Sequence, residues 1–216
     1  MKICILTIAT NKYIQFVERL YDNIHDNFLN DHHIECLLFT EHDVETSDNV
    51  RVSPSTLRYM QNALDISYFF GEGDLNKIVE IGGGYGGLCK TINCLCEFGE
   101  YHIYDMEPAS RLQEKYLSNF KIDGNVFHHS EPEELKDIDL LISNYAYSEL
   151  GEKLQDLYYN NVIVNSKKVY MILNRGQVSR EVFLKRAEKD FEVTVEKVLD
   201  FWPPNGHLYY TTLIKK

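Results

Sequence analysis

The chain has 216 residues, which suffices for one α/β domain with a sizeable core but not for two full domains. Its formal net charge of −11, from 33 acidic and 22 basic residues, argues against nucleic acid as a partner, because phosphate neutralisation supplies most of such binding. No apolar run approaches the roughly 20 residues that span a bilayer, and no cleavage-site pattern follows the first apolar run, so we expect a cytoplasmic protein without a membrane partner.

The first part of the chain predicts a βαβ segment over about residues 1–45. A β-type run from Lys2 to Ile8 precedes a helical segment from Tyr13 to Phe28 and a second β-type run from Ile34 to Thr40. The polar, acidic stretch from Glu41 to Asn49 then provides the best candidate for a linker.

A larger domain is predicted over residues 53–216. It opens with a helix for which Ser53 is the N-cap and Pro54 the first helical residue. Strand and helix patterns then alternate. The strands are Tyr101 to Asp105, Val126 to His129, Ile138 to Ser143 and Lys168 to Leu173; the helices are Gly86 to Phe98, Pro108 to Phe120, Glu149 to Asn161 and Arg180 to Lys189; a hairpin of Phe191 to Phe201 and His207 to Lys215 follows. This alternation predicts a doubly wound, mostly parallel α/β sheet with an antiparallel hairpin at its end.

The first strand of this domain ends in a glycine-rich loop. Lys77 to Leu88 reads as a short β-type run that contains Glu80 and breaks into glycines at positions 82, 83, 84, 86 and 87. Glycine lacks a Cβ, so such a loop lets a ligand approach the backbone, while the next helix offers free N–H groups at its start. The loop therefore predicts an adenosyl-type cofactor.

Two cofactor classes fit this loop. Gly82, Gly84 and Gly87, with Asp105 ending the next strand, satisfy the dinucleotide pattern of an NAD(P)-dependent oxidoreductase. The spacing Glu80-x-Gly82-x-Gly84-x-Gly86 equally fits S-adenosylmethionine. Three features favour S-adenosylmethionine. Glu80 lies within the strand, where a dinucleotide site would usually be apolar. The segment from Asn144 to Glu149 resembles the loop after the fourth strand of methyltransferases, and the closing hairpin resembles the terminal hairpin of the class I enzymes.

From about residue 53 onward the chain resembles the family of sugar O-methyltransferases, which belong to the class I S-adenosylmethionine-dependent enzymes. The residues that carry the likeness are Leu57-Arg58-Tyr59 with Ala63-Leu64-Asp65-Ile66, Glu80-Ile81-Gly82-Gly83-Gly84-Tyr85-Gly86-Gly87-Leu88, Tyr104-Asp105 with Leu112-Gln113 and Tyr116-Leu117, and Asp139 to Leu150. The resemblance implies methyl transfer to a sugar hydroxyl of a nucleotide sugar or surface glycan.

The opening segment is similar to the first βαβ unit of family 6 glycosyltransferases. Leu6-Thr7-Ile8-Ala9-Thr10-Asn11-Lys12-Tyr13 and Phe39-Thr40 carry this likeness, but the metal-binding Asp-x-Asp and the acceptor half are missing. Glycosyl transfer is therefore not expected. We expect residues 1–42 to pack or dock, against the larger domain, a second copy of the chain or a glycosyltransferase; a non-catalytic accessory subunit is the alternative to an enzyme.

The carboxyl ends of parallel strands predict the site, because ligands of such sheets bind there. Glu80, Gly82, Gly84 and Gly86 would hold the cofactor, and Asp105 would accept hydrogen bonds from its ribose. Asn144 and Tyr145 would line its methionine and methyl-transfer face, and His128 to Glu131 would border its adenine.

Candidates for the chemistry follow from the need for a base that deprotonates the acceptor hydroxyl. His207 is the first candidate, because histidine titrates near neutral pH, and Glu149 and His128 follow. Trp202 offers an indole face to a pyranose, and Arg175 and Tyr147 are further candidates for substrate contact. No spacing of carboxylates and histidines demands a metal ion.

Overall fold

The structure, a computed structural model, describes residues 3–7, 34–38, 54–70, 75–173, 180–197 and 209–216. At the start of the chain, β1 (Ile3–Thr7) and β2 (Ile34–Leu38) pair in parallel as a two-stranded sheet. The helix predicted between them lies outside the described residues. Parallel pairing requires a crossover connection, which the 26 or so intervening residues are long enough to make.

The remaining strands form one seven-stranded sheet. They are β3 (Lys77–Ile81), β4 (Glu100–Tyr104), β5 (Asn125–His129), β6 (Ile138–Asn144), β7 (Ser166–Leu173), β8 (Phe191–Lys197) and β9 (Tyr209–Lys215). Their spatial order is β5-β4-β3-β6-β7-β9-β8. The first five run parallel, and β9 lies antiparallel between β7 and β8. The doubly wound, mostly parallel sheet with a closing antiparallel pair is confirmed.

Six α-helices are described. They are α1 (Pro54–Phe70), α2 (Gly87–Asn93), α3 (Glu107–Leu117), α4 (Ala146–Glu149), α5 (Glu152–Asn161) and α6 (Arg180–Ala187), and a 3₁₀ turn spans Ile163–Asn165. Their apolar residues fill two core layers, one on each face of the sheet. Residues of α1, α2 and α3 pack on the face of Ile78 and Ile103, and residues of α4, α5 and α6 pack on the face of Val79 and Leu141.

Two predicted helices differ from those observed. The helix expected to continue to Phe98 ends at Asn93, whose side chain bonds the backbone of Lys121 and Asp123, and the chain then turns back toward β4. The helix expected over residues 149–161 is two helices, because Leu150 and Gly151 are extended. The buried amide of Gln155 donates to the carbonyls of Tyr147 and Leu150, which stabilises the break.

Helix α1 is fixed across the sheet by a buried polar contact. The hydroxyl of Tyr170, on β7, donates to the carboxylate of Asp65 at 3.0 Å, and Gln61 donates to the other oxygen at 2.8 Å. Nearly two turns before Asp65, the same helix contacts the glycine loop, where the ring centres of Tyr59 and Tyr85 are 5.6 Å apart. There Tyr59 packs so closely that a Cβ at Gly87 would lie 2.3 Å from its ring.

Candidate cofactor site

The glycine loop, the residue after β4 and the end of β6 meet at one edge of the sheet. Asp105, which follows β4, accepts the backbone N–H of Gly84 at 3.0 Å, so it contacts the loop directly. Ser143 donates to the carbonyl of Ile81 at 3.1 Å, and a Cβ at Gly82 would lie 2.1 Å from that of Ala146. The structure thus brings together the predicted cofactor residues of β3, β4 and β6.

The glycines of the loop have different physical roles. Gly82, Gly84 and Gly86 have φ values of +80°, +57° and +91°, which residues with a Cβ adopt at a cost. Gly82 makes room for the side chain of Ala146. Gly84 is exposed, and a Cβ there would meet only the Tyr59 hydroxyl, at 3.6 Å. Gly84 is therefore the place where a ligand has room to approach the backbone.

Asp105 already accepts three hydrogen bonds. Its Oδ2 accepts Gly84 N–H at 3.0 Å and the Gln113 amide at 3.1 Å, and its Oδ1 accepts Met106 N–H at 2.8 Å. A carboxylate offers about four lone-pair positions. One lone-pair position is left for a hydroxyl of a ligand. The three existing hydrogen bonds hold the carboxylate in place and so fix the direction of this free lone pair.

Gln113, on α3, is a site residue that sequence reasoning did not select. Its side chain is fully buried, and its Nε2 donates to Gly84 O at 3.0 Å as well as to Asp105. Its Oε1 lies 2.9 Å from Nδ1 of His128. The signal in the sequence was a polar residue on the apolar face of α3, between Tyr104-Asp105 and Leu117.

Glu80 is a buried acid beneath the glycine loop. It is 2 % exposed and accepts a hydrogen bond from the Tyr101 hydroxyl at 3.0 Å. Burial raises the pKa of Glu80 to about 7, against a lowering by the Tyr101 hydrogen bond, and the charge of Asp105 raises it further. A cation bound nearby would lower this pKa and be held by the carboxylate, whereas an anion would be repelled.

Asn144, at the end of β6, has both polar atoms of its amide buried and without a hydrogen-bond partner. An unpaired buried polar group costs about 1 to 3 kcal/mol, so such a group calls for a ligand or an ordered water. The next residue, Tyr145, has a φ of +70°, and its N–H is held by the carbonyl of Ile172 at 2.8 Å. Strain of this kind is typical of functional loops.

Helix α1 supplies Arg58, Tyr59 and Asp65, which sequence reasoning placed only in a family motif, and Asn62, which it did not select. The guanidinium of Arg58 lies 5.7 Å from the ring centre of Tyr145. Asn62 is 2 % exposed, and its Nδ2 has no hydrogen-bond partner. The helical periodicity that predicts α1 also places four polar residues on one side of the helix, namely Arg58, Tyr59, Asn62 and Asp65.

The residues predicted for catalysis and substrate contact were not all found at this edge of the sheet. Tyr147 is 2 % exposed, packs against Phe183 and donates its hydroxyl to the carbonyl of Gln155, so it lies in the core rather than at the site. Glu149 is exposed at the end of α4. Arg175, Trp202 and His207 lie outside the described residues.

His128 lies far from the end of β6, where Asn144 and Tyr145 are expected to line the methyl-transfer face. It lies on β5, which is three strands from β6 in the sheet order. Neighbouring strands are about 4.8 Å apart, so roughly 14 Å separates these two strands. This distance corrects the expectation that His128 serves as a base for the acceptor, although the residue remains beside Asp105 through Gln113.

Comparison with known proteins identifies the fold. No family model and no curated protein matches the chain. Solved structures do: the methyltransferase domain of bacterial CtHen1 is 13% identical with a TM-score of 0.57, over 75% of this chain and 100% of that domain. The chain has a class I methyltransferase fold. The pyocyanin biosynthetic protein PhzM is 13% identical with a TM-score of 0.57, over 74% of this chain and 56% of PhzM.

A third similar structure contains a ligand. TrmK of M. capricolum, in complex with S-adenosyl-homocysteine, is 11% identical with a TM-score of 0.54, over 76% of this chain and 69% of TrmK.

In the class I methyltransferase fold seen here, β9 begins at Tyr209 opposite Leu173, the last residue of β7. The carboxyl end of β7 and the start of β9 therefore lie at the same sheet edge as Asp105.

No helix among the described residues is long and apolar enough to cross a membrane. In the same part of the chain, no three His, Cys, Asp or Glu residues are arranged to hold a metal ion.

Proposed function

We propose that the chain is an S-adenosylmethionine-dependent O-methyltransferase that acts on a sugar hydroxyl of a nucleotide sugar or glycan. The observation that carries the cofactor assignment is the buried carboxylate of Glu80 beneath the glycine loop. A dinucleotide would place its anionic pyrophosphate in such a loop, next to this acid. S-adenosylmethionine instead has a cationic sulfonium and ammonium, which the Glu80 carboxylate attracts.

The described residues fit the parts of this cofactor. Gly84 leaves room for its approach, and Asp105 has one lone-pair position for a ribose hydroxyl. Asn144 lies on the same face of the sheet as Glu80, because Glu80 pairs with Ile142, two residues earlier on β6. Its unpaired amide offers both a donor and an acceptor to the amino-acid end. The bound cofactor would supply the electrophilic methyl group.

The residues of the chain would orient an acceptor oxygen toward the methyl group, since alignment in a dry site supplies much of the acceleration of such a transfer. They would also remove the proton of the acceptor hydroxyl. His207 is the proposed base, with Glu149 next, and Trp202 and Arg175 are proposed to contact the acceptor. The resemblance to sugar O-methyltransferases supports the sugar assignment. The net charge of −11 weighs against RNA, on which HEN1, another similar structure, is described as acting.

Two measurements test the proposal in order. Calorimetry should detect micromolar binding of S-adenosylhomocysteine and no binding of NAD or NADP; the reverse result would make the chain an oxidoreductase. Incubation with isotopically labelled S-adenosylmethionine and a panel of nucleotide sugars and glycan extracts should then give a labelled methyl ether by mass spectrometry. Cofactor binding with label only in RNA would overturn the sugar assignment, and no binding of either cofactor would favour an accessory subunit.

A further inference from the structure

Helix α1 runs antiparallel to β7 and brings its first turns to the carboxyl end of the sheet. At the end of α1, the carbonyl of Phe70 accepts a hydrogen bond from the amine of Lys168 at 3.1 Å, and earlier in the helix Asp65 accepts the hydroxyl of Tyr170 at 3.0 Å. The helix rises by roughly 7.5 Å between its two contacts and the strand by roughly 6.6 Å, so the two lie side by side. The residues of α1 before Asp65 therefore lie beside the last residues of β7.

Asn62 lies at the level of Asn144 in this arrangement. It precedes Asp65 by about one helical turn, which brings it to the level of Ile172, and Ile172 is the β7 residue that pairs with Asn144 on β6. Asn62 is 2 % exposed and its Nδ2 has no hydrogen-bond partner, and both amide atoms of Asn144 also lack one. Two buried, unpaired amides at one level of the sheet indicate that a polar ligand binds between α1 and β6.

Arg58 lies one turn of α1 further toward the carboxyl end of the sheet. Its side chain is exposed, and its guanidinium lies 5.7 Å from the ring centre of Tyr145. Within the part of the chain that the structure describes, no residue forms an ion pair or a hydrogen bond with Arg58. The backbone of Tyr145 is fixed, because its N–H donates to the carbonyl of Ile172 at 2.8 Å. A guanidinium over a fixed ring keeps its N–H donors available to a ligand.

The charges around Arg58 favour an anionic ligand other than the cofactor. Glu80 and Asn144 are already proposed for the cationic and amino-acid end of S-adenosylmethionine. Arg58 would repel the sulfonium, so it suits an acid group of the second substrate. Because the chain has a net charge of −11, it repels anions in general, and binding of an acidic acceptor requires a local cation that no carboxylate of the chain neutralises.

We propose that Arg58 binds an acid group of the acceptor and that Asn62 donates a hydrogen bond to another oxygen of the same molecule. The acceptor is then an anionic sugar, whose acid group is either the carboxylate of a uronate or a phosphate, as in a nucleotide sugar. A planar guanidinium can pair with both groups through two parallel N–H···O bonds. The inference rests on the proposed function and adds the charge of the substrate and two specificity-determining residues to it.

Binding of three sugars in the presence of saturating S-adenosylhomocysteine tests this role of Arg58. The probes are neutral methyl glucoside, methyl glucuronoside with a carboxylate, and glucosyl phosphate, and NMR titration gives their dissociation constants. The wild-type protein should bind at least one acidic probe about tenfold or more tightly than methyl glucoside, as expected for one charge-assisted pair. A preference for methyl glucuronoside identifies a carboxylate as the acid group, and a preference for glucosyl phosphate identifies a phosphate.

Three variants separate the guanidinium from net charge. Arg58→Met, which keeps the length of the side chain without its charge, should reduce the preference for the acidic probe to about twofold or less. Arg58→Lys, which keeps the charge without the planar fork, should give an intermediate preference. The matched control is Arg111→Met, which removes the same charge from an exposed ion pair with Glu107 on α3 and should leave the preference unchanged.

Asn62→Leu has a readout that needs no acceptor. Leucine has nearly the shape of asparagine without its polar atoms, so the loss of an unpaired buried amide should leave the melting temperature of the ligand-free protein unchanged or raise it. The same variant should weaken the binding of all three probes by about fivefold or more and leave the affinity for S-adenosylhomocysteine unchanged. A melting temperature lowered by several degrees would show that the amide is structural and would overturn the role of Asn62.

Two results would overturn the role of Arg58 and leave the proposed function standing. The first is that the wild-type protein binds neutral and acidic probes equally, or binds none of the three. The second is that Arg58→Met weakens the binding of S-adenosylhomocysteine by about tenfold but not that of methylthioadenosine, which lacks the amino-acid end; Arg58 would then hold the carboxylate of the cofactor. Failure of the wild-type protein to bind S-adenosylhomocysteine would instead overturn the proposed function.

Discussion

Replacement of Asp105 is the sharpest test of the site, because the structure determines how much this residue has left to offer a ligand. Three of about four lone-pair positions of the carboxylate are occupied by Gly84, Met106 and Gln113. One hydrogen bond to a charged group is worth about 1.5 to 3 kcal/mol. Asp105→Ala should therefore weaken the binding of S-adenosylhomocysteine by roughly 10- to 150-fold.

Calorimetry measures this change, and thermal unfolding checks the fold of the variant. Some loss of stability is expected, because Asp105→Ala leaves one buried N–H of Gln113 unpaired. Asp105→Asn, which keeps the shape without the charge, should give an intermediate affinity.

The matched control is Asp139→Ala. Asp139, like Asp105, is a carboxylate that accepts a backbone N–H, here from Lys77 at 2.9 Å, and it also pairs with Lys167. It lies at the start of β6, on the opposite edge of the sheet. Its loss should lower the melting temperature and leave the affinity unchanged. An Asp105→Ala protein that is folded and binds within twofold of wild type would refute the assignment of the ribose contact.

The remaining predictions concern the loop, the buried acid, the base and the opening segment. Gly84→Val should abolish detectable binding in calorimetry, whereas Gly83→Ala, whose Cβ would lie 2.4 Å from Ile103, should chiefly lower the melting temperature. Because the folded-state pKa of Glu80 lies near 7, above its unfolded value, ionisation destabilises the fold as pH rises from about 4.5 to 7. Glu80→Gln should then be more stable than wild type by up to about 3 kcal/mol above pH 7, and by nothing near pH 4, in urea titrations without ligand. His207→Ala should lower turnover by roughly a hundredfold with cofactor affinity unchanged in calorimetry, and normal turnover would direct attention to Glu149. A chain without residues 1–42 should be less soluble or less stable, since their apolar runs need a partner surface, and an equally stable truncated chain would contradict that role.

Much of the fold follows from the sequence alone. Alternating strand and helix patterns predict the parallel sheet, and the closing hairpin predicts the antiparallel β9, because both depend on local periodicity and on turn residues. Five glycines after a strand that contains Glu80 place the cofactor loop, since few other structures have a use for so many residues without a Cβ.

The tertiary structure determines the burial and the hydrogen-bond partners of individual side chains, which the periodicity of the sequence does not predict. Tyr147 and Asn144 stand three residues apart, yet Tyr147 lies in the core and Asn144 carries an unpaired amide at the site, because β6 ends at Asn144 and the chain turns at Tyr145 into the short helix α4. The sequence shows Gln113 only as a polar residue on the apolar face of α3, and its partners Gly84, Asp105 and His128 are brought around it by the folded sheet. Sequence determines which residue types and which local elements are available, whereas the partners of a buried polar group are set by contacts between residues distant along the chain, which only the folded sheet brings together.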